Sequence, residues 1–205
     1  MNLREEFGDI DIYVFDQLLR GGIAPGMRVF DAGCGGGRNL VYLLRQGYTV
    51  FGNDASPEAI AKVRALASNV ASGCSRTEVE ADFRHEAIED TSFADASADV
   101  VIASAVLHFA RDDAHFEAMV RALWRVLKPG GVFFARLAST IGIEGQVQPI
   151  GHGRYRLPDG SDRYLVDAAA LLDWTARLGG DLLDLIKTTV VHEQRSMTTW
   201  VARRR

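Results

Sequence analysis

Residues 29–37 read Val-Phe-Asp-Ala-Gly-Cys-Gly-Gly-Gly, an apolar run that ends in Asp31 and is followed by four glycines within five positions. Residues 38–44, Arg-Asn-Leu-Val-Tyr-Leu-Leu, are typical of the start of a helix. The whole pattern predicts a strand, a tight glycine turn and a helix. Because glycine has no Cβ, such a turn allows a nucleoside ligand to lie directly against the backbone.

The spacing of the glycines distinguishes between classes of nucleoside ligand. In the dinucleotide pattern Gly-x-Gly-x-x-Gly counted from Gly33, the third glycine would stand where the chain has Arg38. The chain instead has Asp-x-Gly-x-Gly-x-Gly from Asp31 to Gly37. A carboxylate beside the turn suits a sulfonium ligand with an ammonium group and no diphosphate. An NAD-dependent oxidoreductase is therefore the less favoured alternative.

A second acidic residue, Asp54, follows the next apolar run and lies 17 residues beyond Gly37. That distance is about the length of one helix and one strand. It predicts that the Asp54 carboxylate accepts hydrogen bonds from two ribose hydroxyls, as the acidic residue after the second strand does in nucleotide-binding folds. The alternative is a solvent-exposed Asp54 that caps a turn before Ser56 and Pro57.

Four stretches in order resemble the motifs of class I S-adenosylmethionine-dependent methyltransferases. They are VFDAGCGGGRNL (29–40), FGNDASPEAI (51–60), DVVIASAVLHF (99–109) and LWRVLKPGGVFFARL (123–137). The resemblance is dense over about residues 27–138. The segment from Gly151 to Arg205 is also similar to the tellurite-resistance-like branch of these enzymes.

This resemblance implies S-adenosylmethionine as the cofactor and a set of residues that bind it. The set comprises Asp31, Gly33, Cys34, Gly35, Gly37, Asn39, Asp54, Ala55, Asp82, Phe83 and Ser104. Asp82 and Phe83 are expected at the end of the third strand, where the family contacts the adenine amino group and ring face. Phe83 is equally consistent with a core position.

The chemistry of methyl transfer asks for few side chains, because a sulfonium methyl is already activated and in-line placement supplies most of the acceleration. A general base is needed only when the acceptor is protonated. His108 follows the fourth predicted strand, where the family places acceptor-side groups, and is the candidate base. The alternative is a histidine packed against Phe109 with no catalytic role.

The fold class follows from the alternation of strand and helix patterns along the chain. It predicts an α/β, Rossmann-like doubly wound sheet of seven mostly parallel strands with an antiparallel edge strand and helices on both faces. The third strand is expected at 78–81 and the first core helix at 38–46. We expect a single domain, 1–205, with an N-terminal helical cap over 1–26 and an inserted hairpin or lid over 138–166.

The predicted hairpin in 138–166 turns at Pro-Asp-Gly-Ser, residues 158–161, between the runs 154–157 and 163–165. Beside the carboxyl ends of the parallel strands it would contact substrate. Four residues are its candidate substrate contacts: Arg154, Tyr155, Arg156 and Arg163. The alternative is a surface excursion that does not contact substrate.

Composition limits the function classes. The 205 residues are 47% hydrophobic and carry a net charge of −4. Residues 86–99 hold five carboxylates and no Lys or Arg. The acidic net charge and this acidic stretch both argue against a nucleic-acid partner, because they would repel phosphate. No His-x-x-x-His or Cys-x-x-Cys spacing indicates a metal. The acidic N-terminus, without an apolar signal core, and the lack of a membrane-spanning apolar run favour the cytoplasm.

Together these patterns predict an enzyme that transfers a methyl group from S-adenosylmethionine to a small-molecule acceptor. No nucleic acid, membrane or metal is expected to take part, and the oligomeric state is left open. A non-catalytic S-adenosylmethionine-binding domain is the main alternative, because cofactor-binding residues do not prove turnover.

Overall fold

The computed structural model describes residues 2–70 and 82–205. Its α-helices are α1 (Leu3–Phe7), α2 (Ile12–Leu19), α3 (Val41–Arg45), α4 (Pro57–Val70), α5 (Asp113–Val126) and α6 (Ala168–Arg177). Its strands are β1 (Arg28–Ala32), β2 (Thr49–Asp54), β3 (Phe83–His85), β4 (Ala98–Ser104), β5 (Leu127–Ala138), β6 (Gln148–Gly151), β7 (Arg154–Arg156), β8 (Asp162–Tyr164), β9 (Gly180–Leu182), β10 (Lys187–Val191) and β11 (Arg195–Arg204).

The main sheet has the strand order β10-β11-β5-β4-β1-β2-β3, and β9 pairs with β11 beside this path. The pairs β3–β2, β2–β1, β1–β4 and β4–β5 are parallel, whereas β11 runs antiparallel to β5, β10 and β9. The predicted mostly parallel α/β sheet is confirmed. Its antiparallel part consists of several strands, because two short strands after α6, β9 and β10, pair with β11, which itself pairs with β5.

Both faces of the sheet are covered by helices. In β1 the side chain of Phe30 packs with residues of α5 and α6, whereas its neighbour Val29 packs with residues of α2, α3 and α4. Successive side chains of a strand point to opposite faces. Val29 and Phe30 are both fully buried although they point to opposite faces. This explains why the parallel strands have unbroken apolar sequences rather than alternating ones.

The third strand differs from its predicted position. Residues 78–81 lie outside the described part of the chain, and β3 is observed at Phe83–His85. Its first residue, Phe83, is level with Gly52, and His85 is level with Asp54 at the carboxyl end of β2. Phe83 therefore begins the strand, and the prediction that Asp82 and Phe83 end it is wrong.

The first core helix begins later than predicted, at Val41, because residues 35–40 form turns. The hairpin in the inserted segment is confirmed: β7 and β8 pair antiparallel across the turn at 158–161. A third strand, β6, which the sequence did not indicate, pairs with β7. A bridge between Ser139 and Val166 brings the two ends of the segment together.

Within residues 2–70 and 82–205, no helix has the length and apolar character needed to cross a bilayer.

Candidate active site

The glycine turn after β1 lines a cleft of about 360 Å³ at the carboxyl edge of the parallel strands. We call this the glycine cleft; it is lined by Gly8, Asp9, Gly33, Cys34, Gly35, Gly36, Gly37, Arg38, Asn39, Val41, Leu66 and Ser104. Six of the residues predicted to bind the cofactor are in this set, from both the turn and the end of β4. The carboxyl edge of an open α/β sheet is where such folds bind ligands.

The glycines of the turn serve different purposes. A Cβ on Gly33 would lie 2.5 Å from Cγ1 of Val106, and a Cβ on Gly37 would lie 2.7 Å from Cδ2 of Leu66, so packing excludes side chains there. Gly35 has a φ of 55°, and nothing lies within 4 Å of the position its Cβ would take. A side chain at Gly35 would therefore extend into open space of the cleft. The absence of one leaves room for a ligand.

Asp54 holds the turn in place. One carboxylate oxygen, Oδ2, accepts a hydrogen bond from the backbone N–H of Gly35 at 2.9 Å. The other, Oδ1, accepts one from the backbone N–H of Ser56 at 2.8 Å. Asp54 thus caps the turn before Ser56, as the alternative interpretation expected, but it is half-buried rather than solvent-exposed. Each oxygen keeps further acceptor capacity, so capping leaves the predicted contact with ribose hydroxyls chemically open.

Asp31 is a buried carboxylate without a complete set of partners. It is 2% exposed, and its Oδ2 has no hydrogen-bond partner in the described structure. Burial raises the pKa of Asp31 to about 7; the guanidinium of Arg38 opposes this rise and the carboxylate of Asp54 adds to it. A cationic ligand group nearby would favour the charged form. A buried carboxylate directly before the glycine turn and the open space beside Gly35 therefore fit S-adenosylmethionine, which carries an ammonium group.

A polar network around Asp11 was not foreseen from the sequence. Its Oδ2 accepts hydrogen bonds from Ser104 Oγ at 3.0 Å and from Arg136 Nη1 at 3.1 Å, and Arg38 Nη2 lies 3.7 Å away. Arg38 Nη2 also donates to Ser104 Oγ at 2.8 Å, and the backbone N–H of Asp11 donates to Asn39 Oδ1 at 3.0 Å. The sequence signal was an acidic residue directly before an apolar helix, a common N-cap.

Several predicted cofactor residues have other contacts in the structure. Phe83 is 1% exposed and packs in the core with α4, so the predicted adenine contact by its ring is wrong. Asp82 precedes the amino end of β3. The carbonyl of Ala55 lies 3.0 Å from Nε2 of His85, which stands at the carboxyl end of that strand. Burial raises the pKa of the Cys34 thiol well above its usual range, so this thiol is not a nucleophile.

His108 lies in a short 3-10 helix, Leu107–Phe109, after β4. Its Nδ1 accepts the backbone N–H of Ala138 at 3.2 Å, and its ring packs against Phe109 with the centroids 4.6 Å apart. Burial, with smaller contributions from Arg163 and Arg136, lowers the pKa of His108 to about 4. The ring is therefore neutral at pH 7 with its proton on Nε2. This geometry supports a hydrogen-bond donor and does not support the predicted general base.

A second cavity of about 380 Å³ is lined by the residue that follows Ser104. We call it the arginine cavity; it is lined by Ala105, His108, Arg136, Ala138, Leu157, Asp159, Ser161, Arg163, Val191, Arg195 and Met197. Ser104 lines the glycine cleft and Ala105 lines the arginine cavity, so consecutive residues at the end of β4 contribute one to each. Ala105 has a φ of 64°, which is uncommon outside glycine and concentrates at functional sites.

The candidate substrate contacts separate into two groups. Arg163 lines the arginine cavity, whereas the other three are not among its lining residues. Arg156 is paired with Asp162 within the hairpin, and Tyr155 packs beside the small cluster of Ala138, Leu157 and Leu165. Arg195 and Arg136, which the sequence did not single out, take part in the cavity instead. Among the residues with described positions, no acidic or His/Cys cluster could hold a metal ion.

Comparison with known proteins agrees with this arrangement. A family model described as a methyltransferase domain matches residues 30–135. A Synechocystis protein named "Uncharacterized methyltransferase sll0829" is 37% identical over 111 residues, which are 54% of this chain and 47% of that protein. The "Ubiquinone biosynthesis O-methyltransferase" of Xylella fastidiosa is 31% identical over 172 residues, 78% of this chain and 63% of that protein.

The chain thus spans about half to two thirds of the length of these two curated relatives. Among solved structures, a S-adenosylmethionine-dependent methyltransferase from Methanosarcina mazei superposes with a TM-score of 0.70 at 20% identity. That alignment covers 91% of this chain and 96% of the other. At this identity the likeness establishes the fold.

Proposed function

Because the chain belongs to the class I S-adenosylmethionine-dependent methyltransferases, we propose that it transfers the cofactor's methyl group to a small-molecule acceptor. The observation that carries the proposal is that the consecutive residues Ser104 and Ala105, at the carboxyl end of β4, line one cavity each. The glycine cleft has the features of a cofactor site, and the arginine cavity is the neighbouring space that can receive an acceptor.

The glycine turn, Asp31 and Asp54 are the residues that would hold the cofactor. Bound there, S-adenosylmethionine supplies a sulfonium methyl that is already activated. The chain's task is then to orient the acceptor and exclude water, which lowers the barrier by proximity and in-line placement. The hydrophobic wall of the arginine cavity, with Leu157, Val191 and Met197, suits that task.

We assign His108 the role of a donor to the acceptor through its Nε2–H. Its Nδ1 is engaged by the Ala138 N–H, and Nε2 has no protein partner in the part of the chain that the structure describes. The inserted segment 138–166 contributes Leu157, Asp159, Ser161 and Arg163 to the cavity, which supports the proposed lid. The acceptor atom is first sought as a hydroxyl oxygen, because curated relatives include ubiquinone biosynthesis O-methyltransferases.

The test is calorimetry with S-adenosylhomocysteine, followed by an acceptor screen that measures S-adenosylhomocysteine release. Binding together with turnover of at least one hydroxylated acceptor supports the proposal. Binding with no turnover across hydroxyl, thiol and amine panels favours a non-catalytic binding domain. Binding of NAD in place of the adenosyl ligands would overturn the assignment. The tellurite-resistance-like branch and the cytoplasmic location stay predictions.

A further inference from the structure

The arginine cavity has two arginines, Arg163 and Arg195, that form no ion pair within residues 2–70 and 82–205, although both act electrostatically on the one carboxylate of the cavity, Asp159. We propose that the occupant of the cavity is an organic acid, with a carboxylate bound by Arg163 and Arg195 and the methyl-accepting atom at the junction of Ser104 and Ala105. The inference rests on the proposed function, because it names the class of acceptor for the same site.

The two arginines lack the partners that their neighbours have. Arg136 is paired with Asp11, and Arg156 is paired with Asp162. Within residues 2–70 and 82–205, no carboxylate lies within 4.0 Å of the guanidinium of Arg163 or Arg195. Arginine is common at sites that bind carboxylates, because its planar guanidinium offers two parallel N–H donors to the two carboxylate oxygens.

Arg163 is held in position by the protein. Its Nη1 donates to the carbonyl of Asp162 at 2.7 Å, and its guanidinium lies 5.0 Å from the centroid of the Phe109 ring. An arginine fixed by stacking loses less freedom when it binds a ligand. Arg195 is more exposed and lies at the start of β11, in a different element from Arg163. Arg163 should therefore contribute more to binding than Arg195.

The remaining charges of the cavity leave an excess of one positive charge. Asp159 is the single carboxylate among the lining residues, and its Oδ1 already accepts the backbone N–H and the hydroxyl of Ser161, at 2.9 and 2.6 Å. The charge of Arg136 is offset by Asp11 outside the cavity. Arg163 and Arg195 against Asp159 thus leave a net charge of +1 for an anionic ligand.

The rest of the lining favours an organic rather than an inorganic anion. Leu157, Val191 and Met197 form an apolar wall, and a volume of about 380 Å³ exceeds what a hydrated inorganic ion fills. An acid with an aromatic or aliphatic body places its apolar part against that wall. The same molecule can then reach the Nε2–H of His108 and the junction with the glycine cleft.

The probe for the test is benzoate, with benzamide as its uncharged isostere and inorganic phosphate as the ion without an apolar body. Each is titrated into the complex with S-adenosylhomocysteine by calorimetry or NMR. We expect benzoate to bind at least tenfold more tightly than benzamide and phosphate. Arg163→Gln should weaken benzoate binding roughly 10- to 100-fold, and Arg195→Gln less, because charged hydrogen bonds are lost.

The matched control is Arg121→Gln, an exposed arginine on α5 that pairs with Glu117 and does not line the cavity. It should leave benzoate binding unchanged. Equal binding of benzoate and benzamide, or unchanged benzoate binding in both cavity variants, would overturn the proposal. Tight binding of phosphate without benzoate would overturn the assignment to an organic acid. Failure of S-adenosylhomocysteine to bind would instead contradict the proposed function.

Discussion

Gly35 is the residue whose replacement should harm the glycine cleft most. Its φ of 55° is unfavourable for a β-branched residue, and the space beside it is open. Gly35→Val should abolish S-adenosylhomocysteine binding in calorimetry, because no rotamer removes a Cβ. Gly47→Val is the control: Gly47 has a φ of 73°, open space and no place in the cleft, so it reports strain alone. Normal binding by a folded Gly35→Val protein, verified by circular dichroism, would show that the turn does not hold the cofactor.

Asp54 should contribute to affinity through hydrogen bonds rather than through shape. Asp54→Ala removes the proposed acceptor for two ribose hydroxyls and should weaken S-adenosylhomocysteine binding by about tenfold to a hundredfold. It also removes the caps of Gly35 and Ser56, so its melting temperature must be measured in parallel. Ser56→Ala is the control: it removes the hydroxyl that accepts the Ala59 N–H and should cost about 1 kcal/mol of stability with unchanged affinity.

Asp31 should link cofactor binding to pH. Its pKa is raised from 3.8 to about 7, so between these values the folded carboxyl stays largely protonated while the unfolded chain ionises; its contribution to stability is full below about pH 4 and is lost as the pH rises to about 7. A ligand ammonium favours the ionised form, so binding should release a proton near pH 6 and affinity should rise up to about pH 7. Calorimetry in buffers of different ionisation enthalpy measures that proton. Asp31→Asn should release none; an equal release from this variant would contradict the linkage.

At the scale of elements, Asp11 fastens α2 to the ends of β4 and β5. Its carboxylate is buried and binds Arg136, so Asp11→Ala leaves a cation with no partner at the end of β5. We expect a loss of about 3 kcal/mol in the free energy of unfolding, measured with urea. Asp9→Ala removes an exposed pair with Arg4 and should cost less than about 0.5 kcal/mol. Similar losses in the two variants would mean that Asp11 does not anchor the helix.

The core elements that the sequence predicted have a long apolar pattern, whereas the β7–β8 hairpin was predicted by the turn residues between its two short strands. The buried run of β4 and the helical spacing of Phe116, Val120 and Leu123 in α5 leave no other assignment. β3 and β6 have three and four residues, too few for a period, and β6 is exposed throughout. The short β3 explains why Phe83 was expected at the wrong end of its strand.

The candidate site was predictable where one local segment forms it. Gly33 to Gly37 lie together because they are consecutive, and Asp54 joins them because parallel strands end at one edge. Arg195 and Asp11 come from opposite ends of the chain, and only tertiary packing brings Asp11 to Ser104 and Arg195 into the same cavity lining as Ala105. The Ser104 and Arg136 partners of Asp11 lie 93 and 125 positions away, which no local pattern contains.

For the whole molecule, the cofactor should behave as a stabilising ligand. S-adenosylhomocysteine at 100 times its dissociation constant should raise the free energy of unfolding by about 2.7 kcal/mol through mass action. NAD at the same concentration should leave the melting temperature unchanged. Thermal denaturation with each ligand measures the difference. A rise in melting temperature with NAD and none with S-adenosylhomocysteine would contradict the assignment of the glycine cleft as the S-adenosylmethionine site.

The bridge between Ser139 and Val166 has an evolutionary consequence. Because the segment departs from β5 and returns at one point, its length and sequence can change without displacing the strands that flank it. The acceptor contacts that we propose within this segment, Leu157 and Arg163 among them, can therefore diversify while His108, Arg195 and the adenosyl half of the molecule stay constant. Replacing residues 140–165 with the corresponding segment of a relative should then transfer part of that relative's substrate preference to this protein.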